Sequence, residues 1–447
     1  MFSAALSSAF MRRARFCIDA GHEPGEGRFA ATKFADMMKG GQVAIAGSTR
    51  LTGLRMWGLG LATAALLAGC SPGGFSFGPS GPGNGGAPGQ TLPTAAGRTF
   101  GTGEVRVALL LPLSGDAGLV SVGTSMANAS ELAIAFVQSN PNIGDNITVE
   151  VKDTGPSAAG AAQAATQAVS EGASLILGPL RADQVTAAGQ VAKAAGIPVI
   201  GFSNNTGAAS PGVYLLNVLP ETEVRRSMSY AKKLGKKAFA GVFPTTDFGR
   251  IQQGAFQQAT ADLGLNTRAV YNFSSEAEVR NVVAQLVPQL QAGQIDTIFI
   301  PDRATAPSIA NLLLEAGIAT GSVQLVGSAD WNNDTAVANT TALAGAIFPA
   351  VDASGLLALS TEYQARYGAP PHPFATLAYT ATILANASSL SKGTPRYDRA
   401  QLTLPAGFNG RDGVFRFLAD GRSEFALSIR QVTIGGSSVA EEAPKKL

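Results

Sequence analysis

From Val105 onward, apolar residues gather into short unbroken runs separated by longer Ala-rich stretches whose apolar positions recur every three or four residues. The runs predict strands at 105–113 (VRVALLLPL), 147–153, 173–179 and 197–203; the stretches predict helices at 123–139, 157–172 and 183–196. Runs that are apolar throughout, rather than at alternate positions, belong to strands covered on both faces, and regular alternation with helices means parallel strands joined by crossovers. After VYLLNV (213–218) the same grammar restarts, with helices at 221–234, 247–263, 276–290 and 304–316 and strands at 237–244, 267–273, 296–302 and 323–328. The segments LILGPLRADQVTAAGQVAKAAGIPVIG and TIFIPDRATAPSIANLLLEAGIATGSVQLVG share the order strand, turn, helix, Ala-Gly-Ile, strand. The expected fold is therefore α/β, with two Rossmann-like lobes, each a doubly wound parallel sheet.

A third section, 345–404, returns to helices, and 413–435 alternates as an antiparallel hairpin with Asp420-Gly421 at its turn. A chain that builds one lobe, then a second, then revisits both crosses between them several times and makes a hinge. The expected division is 104–219 plus 346–404 for the first lobe and 220–345 plus 405–435 for the second.

The N-terminal region follows a different pattern. The apolar run 56–69 is shorter than the roughly 20 residues that span a bilayer, follows Arg50 and Arg55, and ends in small residues at Gly69. That is the pattern of a secretory signal. If Met37 or Met38 is the start, the signal has ordinary length, and 1–36 is a misplaced start or an unusual extension. From Ser71 to Gly103 the chain is dominated by Gly, Pro and Ser, too polar and too rich in backbone freedom to pack, and reads as a tether with a reach of roughly 30 Å.

Removing 1–69 changes the charge balance. The whole chain carries 33 basic and 31 acidic residues; without the eight basic and four acidic ones of the leader, 25 and 27 remain, a net charge near −2. No basic stripe is left to meet nucleic acid. Cys17 falls in the leader and Cys70 at its end, so the globular part has no thiol and rests on core burial.

Catalytic signatures are missing. The two histidines are His22, in the leader, and His372, between two prolines, which leaves no ready triad or zinc set. No phosphate loop, nucleophile elbow or dinucleotide fingerprint occurs. An enzyme, a metal and a cofactor are not expected. Polar turns stand instead after the strands: Ser114-Gly115-Asp116, then 178–182 ending at Ala182, then Ser203-Asn204-Asn205-Thr206, and in the second unit Thr245 to Phe248, Asp302-Arg303 and 328–331 with Asp330 and Trp331. As N-caps and turns these residues are ordinary; facing one cleft, they form a site for a small polar ligand.

Leu67-Ala68-Gly69-Cys70 resembles the lipobox of bacterial lipoproteins, which implies an acylated Cys70 and a membrane attachment through lipid alone; Ser71 in place of aspartate fits outer-membrane sorting. VALLLPLSG, LILGPL, AAGIPVIGFS and GVFRFLADG resemble the type I periplasmic binding proteins of the leucine-binding family, closest to the penicillin-binding protein activator lipoproteins, over about 104–434. The resemblance implies a carboxylate-binding serine position at Ala182 and a threonine position at Asn205, flanked by Ser203 and Asn204. It implies an aromatic wall at Phe248, an acid for a ligand's ammonium at Asp302 or Asp330, and a hydrophobic lid at Trp331. Two partners are then in view: an inner-membrane ABC permease fed with an amino acid or peptide fragment, or a peptidoglycan synthase activated by the anchored body. The missing hydroxyl at Ala182 and the long tether favour the second, the polar loops the first.

Overall fold

A computed structural model describes residues 97–447, which belong to one compact unit. The expected signal, Cys70 and most of the tether lie outside the described residues. Along the chain come β1 (Thr99–Phe100), β2 (Val105–Leu111), α1 (Ala117–Ser139), β3 (Ile147–Asp153), α2 (Ala158–Ser170), β4 (Leu175–Leu177), α3 (Ala182–Ala194), β5 (Val199–Gly201) and β6 (Val213–Leu215). The second unit runs α4 (Pro220–Lys233), β7 (Ala238–Pro244), α5 (Asp247–Asp262), β8 (Asn266–Phe273), α6 (Glu276–Gln291), β9 (Thr297–Phe299), α7 (Ala306–Glu315), β10 (Gln324–Val326) and α8 (Thr335–Asn339). The remainder is β11 (Ile347–Ala350), α9 (Ala353–Tyr367), α10 (Ala375–Asn386), β12 (Phe408–Gly410), β13 (Gly413–Phe417), β14 (Ser423–Phe425), β15 (Ser428–Thr433) and β16 (Gly436–Glu441), with two single-turn helices between α10 and β12.

The first sheet has the order β1-β3-β2-β4-β5-β6 and the second β16-β15-β11-β10-β9-β7-β8. Their parallel cores match: counted from the first strand of each lobe, both run 2-1-3-4-5. Alternate residues of each apolar strand feed opposite faces. Val107, Leu109 and Leu111 pack toward α1 and α10, while Ala108 and Leu110 pack toward α2 and α3. In the second lobe Ile298 and Ile300 pack with α6 and α7, and Phe299 with α4 and α5. Burial on both faces is why these strands read as unbroken apolar runs. The 23-residue α1 is apolar enough in length and composition to span a membrane, but it is a core helix lying along α10.

Both sheets are mixed rather than wholly parallel. The expected tether yields its last residues to the first sheet, where β1 pairs antiparallel with β3. Gly103 lies so close to this edge that a methyl on it would stand 2.0 Å from the Asn146 backbone.

The division between lobes also departs from expectation. Residues 347–350, expected in the first lobe, form β11 in the second sheet, parallel to β10 and antiparallel to β15. Residues 408–425, expected in the second, form a small antiparallel sheet on the first lobe, because Phe415, Phe417 and Phe425 join the core around Tyr214. The chain therefore crosses three times: at 216–219 into α4, at 351–352 into α9, and at 426–427 into β15. The hairpin pattern at 413–435 carried no sign of which sheet would receive it, and β11 lies in a section expected to be helical.

Candidate functional site

In each lobe the parallel strand order reverses between the first and third strands, β2 and β4 in one, β7 and β9 in the other. Neighbouring crossovers leave to opposite faces at such a point and open a crevice beyond the carboxyl ends. Ser114 lies in the loop after β2 and Asp302 in the loop after β9, while Ala182 and Phe248 stand in the first turns of α3 and α5, which follow β4 and β7. The next strand in each lobe adds Ser203, Asn204 and Asn205 after β5, and Asp330 and Trp331 after β10. Topology thus gathers the nine candidates into two loop clusters, one per lobe.

Within the first cluster much of the polarity is structural. Ser114 is exposed, yet its hydroxyl serves Asp153 at the end of β3. Burial opposes charge on Asp153, but hydrogen bonds from Ser114 and from the amides of Gly155 and Leu113 outweigh it and hold its carboxyl below the usual range. Asp116 caps α1 by accepting from the Leu119 amide at 2.9 Å. Ala182 opens α3, whose start has no side-chain cap, so a methyl stands where the resemblance places a hydroxyl. Ser203 is buried and accepts from the Asn205 amide at 3.1 Å; Asn205 accepts from the Gly207 amide at 2.9 Å; Asn204 is exposed.

In the second cluster Phe248 sits in the first turn of α5 with 36% of its surface exposed. The carboxylate of Asp302 accepts from the Thr305 hydroxyl at 2.7 Å and its amide at 3.2 Å, closing its own turn. Asp330 is the freer acid: exposed, 3.3 Å from the Arg303 guanidinium, with partial burial raising its carboxyl and Arg303 opposing that rise. Trp331 is not a lid. Only 1% exposed, it lies against Phe348 with ring centres 6.4 Å apart, because the single 3₁₀ turn Ala329–Trp331 points the indole inward toward the second core. His372 is a loop residue whose amide donates to Ser125 on α1.

Three residues at these loops escaped sequence reasoning. Glu221 and Glu223 in the first turn of α4 read as ordinary acids at a helix start. In the structure Glu221 accepts from the Thr206 hydroxyl at 2.9 Å, which joins it to the loop after β5. Glu223, 6% exposed, accepts from the Ala329 amide at 3.2 Å and from the Gln252 side chain, which joins the same turn to the loop after β10. Burial pushes its carboxyl up to about 7, with Asp330 and Glu221 adding to the rise and the two hydrogen bonds opposing it. Gln184, fully buried on α3, donates to the Gly155 carbonyl at 2.9 Å. No periodic signal marks such residues, since each is a polar side chain at an apolar position.

The model of the family described as Periplasmic binding protein matches residues 104–402. The chain belongs to the periplasmic binding protein family. Its two-lobed architecture is that of the type I periplasmic binding proteins, a family of binding proteins rather than enzymes, and the family implies a periplasmic location. Similar solved structures include a putative branched-chain amino acid ABC transporter protein from Rhodospirillum rubrum, 18% identical with TM-score 0.65, covering 75% of this chain and 99% of that one. An ABC transporter substrate-binding protein from Desulfitobacterium hafniense in complex with Leu is 18% identical with TM-score 0.56, over 75% and 99%. The LpoA C-domain from Haemophilus influenzae, a regulator of PBP1A, is 16% identical with TM-score 0.56, again over 75% and 99%. No curated protein sequence matches the chain. At these identities the structures speak for the fold of this periplasmic binding protein.

Proposed function

We propose that the protein is an extracytoplasmic solute-binding lipoprotein that takes an amino acid or similar small polar ligand between its lobes and presents it to an ABC permease. The observation that carries this reading is the first turn of α4: Glu221 is bonded to the polar loop after β5 of one lobe, and Glu223 to the loop bearing Asp330 in the other. The loops are thereby held on a common support at the junction, as a cleft needs that grips a ligand from both sides. The ligand's carboxylate meets the uncapped start of α3 at Ala182 together with Ser203 and Asn204, and its ammonium meets Asp330, with Phe248 as an apolar wall. The three crossings 216–219, 351–352 and 426–427 act as the hinge. Acylated Cys70 and the tether keep the body at a membrane, the outer one by the sorting residue Ser71.

Calorimetry against the amino acids and against muropeptides tests this reading. The expected result is saturable binding by at least one of them, weakened about tenfold or more by Asp330→Asn, a loss of about 1.4 kcal/mol or more. A second reading, activation of a peptidoglycan synthase, is favoured by one specific feature, the methyl at Ala182 in place of a carboxylate-binding hydroxyl. Failure of every ligand together with recovery of a penicillin-binding protein in a pull-down would establish that reading instead.

A further inference from the structure

Glu223 has no cation within its hydrogen-bonded surroundings. It is packed among α4, α5 and the Ser328–Trp331 turn, and its partners are neutral: the Gln252 side chain and the Ala329 amide. The charged groups that act on it are acidic, Glu221 from its own helix and Asp330 from the turn, and Asp330 is itself 3.3 Å from the Arg303 guanidinium. The basic residues next along α4 are engaged elsewhere, Arg225 with Asp262 at 3.5 Å and Arg226 with Glu441 at 2.7 Å, and Arg250 on α5 pairs with Asp247 at the surface. Around the carboxyl, the Ser227 hydroxyl and the Gln252 side-chain oxygen are buried and without a partner among the described residues. A protonated Glu223 donates to that oxygen once the Gln252 amide turns over; an ionised one has two carboxylates for company, and the cation beside them, Arg303, is shared between Asp330 at 3.3 Å and Asp334 at 3.4 Å.

The turn that Glu223 supports is the one that presents Asp330. Ser328 anchors it from below, donating to the Pro301 carbonyl at 2.7 Å, Trp331 anchors it in the core, and Glu223 takes the Ala329 amide between them. We propose that Glu223 is a positioning residue of the ligand cleft: its buried carboxyl seats the Ser328–Trp331 turn and releases its proton to solvent when a positively charged ligand group settles beside Asp330. This rests on the solute-binding reading. The reason is electrostatic. The charge on Asp330, which the exposed Arg303 pair offsets only in part, opposes ionisation of Glu223, so a ligand cation added beside Asp330 weakens that opposition and adds an attraction through a poorly screening interior. Linkage then runs both ways: binding releases a proton, and raising the pH through the neutral range tightens binding.

Trp331 gives a direct readout, because the chain has only two tryptophans and the other is Trp57 in the leader. In the full chain carrying Trp57→Phe, Trp331 emission is expected to titrate with a midpoint near pH 7 as the turn responds to Glu223, and the titration is expected to vanish in Glu223→Gln. Asp330→Lys, an exposed change that plants an ammonium where the ligand's would sit, is expected to move the midpoint down by about one pH unit or more. A titration that persists in Glu223→Gln, or a midpoint that ignores Asp330→Lys, overturns the proposal, with circular dichroism confirming that each variant is folded. None of this needs a ligand, so an empty ligand screen sinks the solute-binding reading while leaving the Glu223 measurement standing. Conversely, an amino acid that binds with the same affinity at pH 6 and pH 8, instead of about fivefold tighter at the higher pH, keeps that reading and overturns this one.

Discussion

Gly327 ends β10 beneath the Trp331 indole, and a methyl placed on it would lie 2.1 Å from the ring. The residue is therefore glycine for closeness of approach, and the approach is what turns Trp331 inward. Gly327→Ala is expected to cost about 2 kcal/mol in urea unfolding, the range of overpacked cores, and to cost little when made on Trp331→Leu, since the clashing ring is gone; a double-mutant cycle reads that coupling. A second residue-scale expectation concerns Asp412. It is buried at the turn between β12 and β13, where burial raises its carboxyl to about 6, the Thr376 hydroxyl opposes the rise and Asp352 adds to it. An acid whose folded value lies above its unfolded one stabilises the fold below the unfolded value and loses that contribution as pH rises through the folded one. From pH 4 to pH 7 the protein should thus lose about 2 kcal/mol on this account, and Asp412→Asn should flatten that part of the unfolding free energy against pH. At this scale the sequence reading named the right loops but not the orientation of side chains within them. Trp331 reads as a lid when only its loop position is known, and Glu223 reads as a surface acid when only its helix position is known.

Among elements, the legible ones are those whose apolar pattern has a single structural meaning. The alternation from Val105 to Val326 gave strand, helix and parallel order in both lobes, because burial of a strand on two faces leaves an unmistakable unbroken run. Elements fixed by partners rather than by their own pattern were not legible: β1 hides at the end of a Gly/Pro-rich stretch, and β11 is four residues in a section that reads as helical, held as a strand between β10 and β15. What holds β1 is Phe100, buried in the first core, and a polar network beside it. Arg98 is ion-paired with Glu131 and donates to Asn128 at 2.8 Å, and Asn128 in turn donates to the Tyr363 hydroxyl at 3.0 Å, so the start of the folded body is fastened to α1 and α9. Partial burial lowers the Arg98 guanidinium, the neighbouring Arg366 adds to that, and Tyr367 and Tyr363 oppose it. Arg98→Ala should cost about 1–2 kcal/mol, the range for hydrogen bonds to a charged group, and raise amide exchange at Gly97, which donates to the Val151 carbonyl, and at Val151, which donates to the carbonyl of residue 98, while the second lobe stays protected. Uniform loosening of both lobes would show that the network supports the whole fold instead.

For the molecule as a whole, the question is what couples the lobes away from the candidate loops. A groove of about 350 Å³ runs along the outer side of the junction, walled by α4 and α5 of the second lobe and by the β13–β14 hairpin and 426–427 of the first, and none of the nine candidate residues lines it. Arg226 crosses its floor. Its Nε donates to the Leu427 carbonyl at 2.7 Å and its Nη1 to Glu441 at 2.7 Å, so one side chain ties the helix entered by the first crossing to the backbone of the third and to the edge strand β16. The second crossing, at 351–352, has no such tie to Arg226. Removing the guanidinium leaves the partly buried Leu427 carbonyl without its donor and Glu441 with Lys233 alone, which places the cost of Arg226→Ala at about 1–2 kcal/mol. The distribution of the effect is the sharper test. Hydrogen exchange should accelerate at 216–219 and at 426–428 together, with 351–352 unchanged, and urea unfolding should remain a single transition because both lobes still share three crossings. Acceleration confined to α4 and β16 would mean that Arg226 supports its own lobe alone, and that the three crossings are held independently of one another.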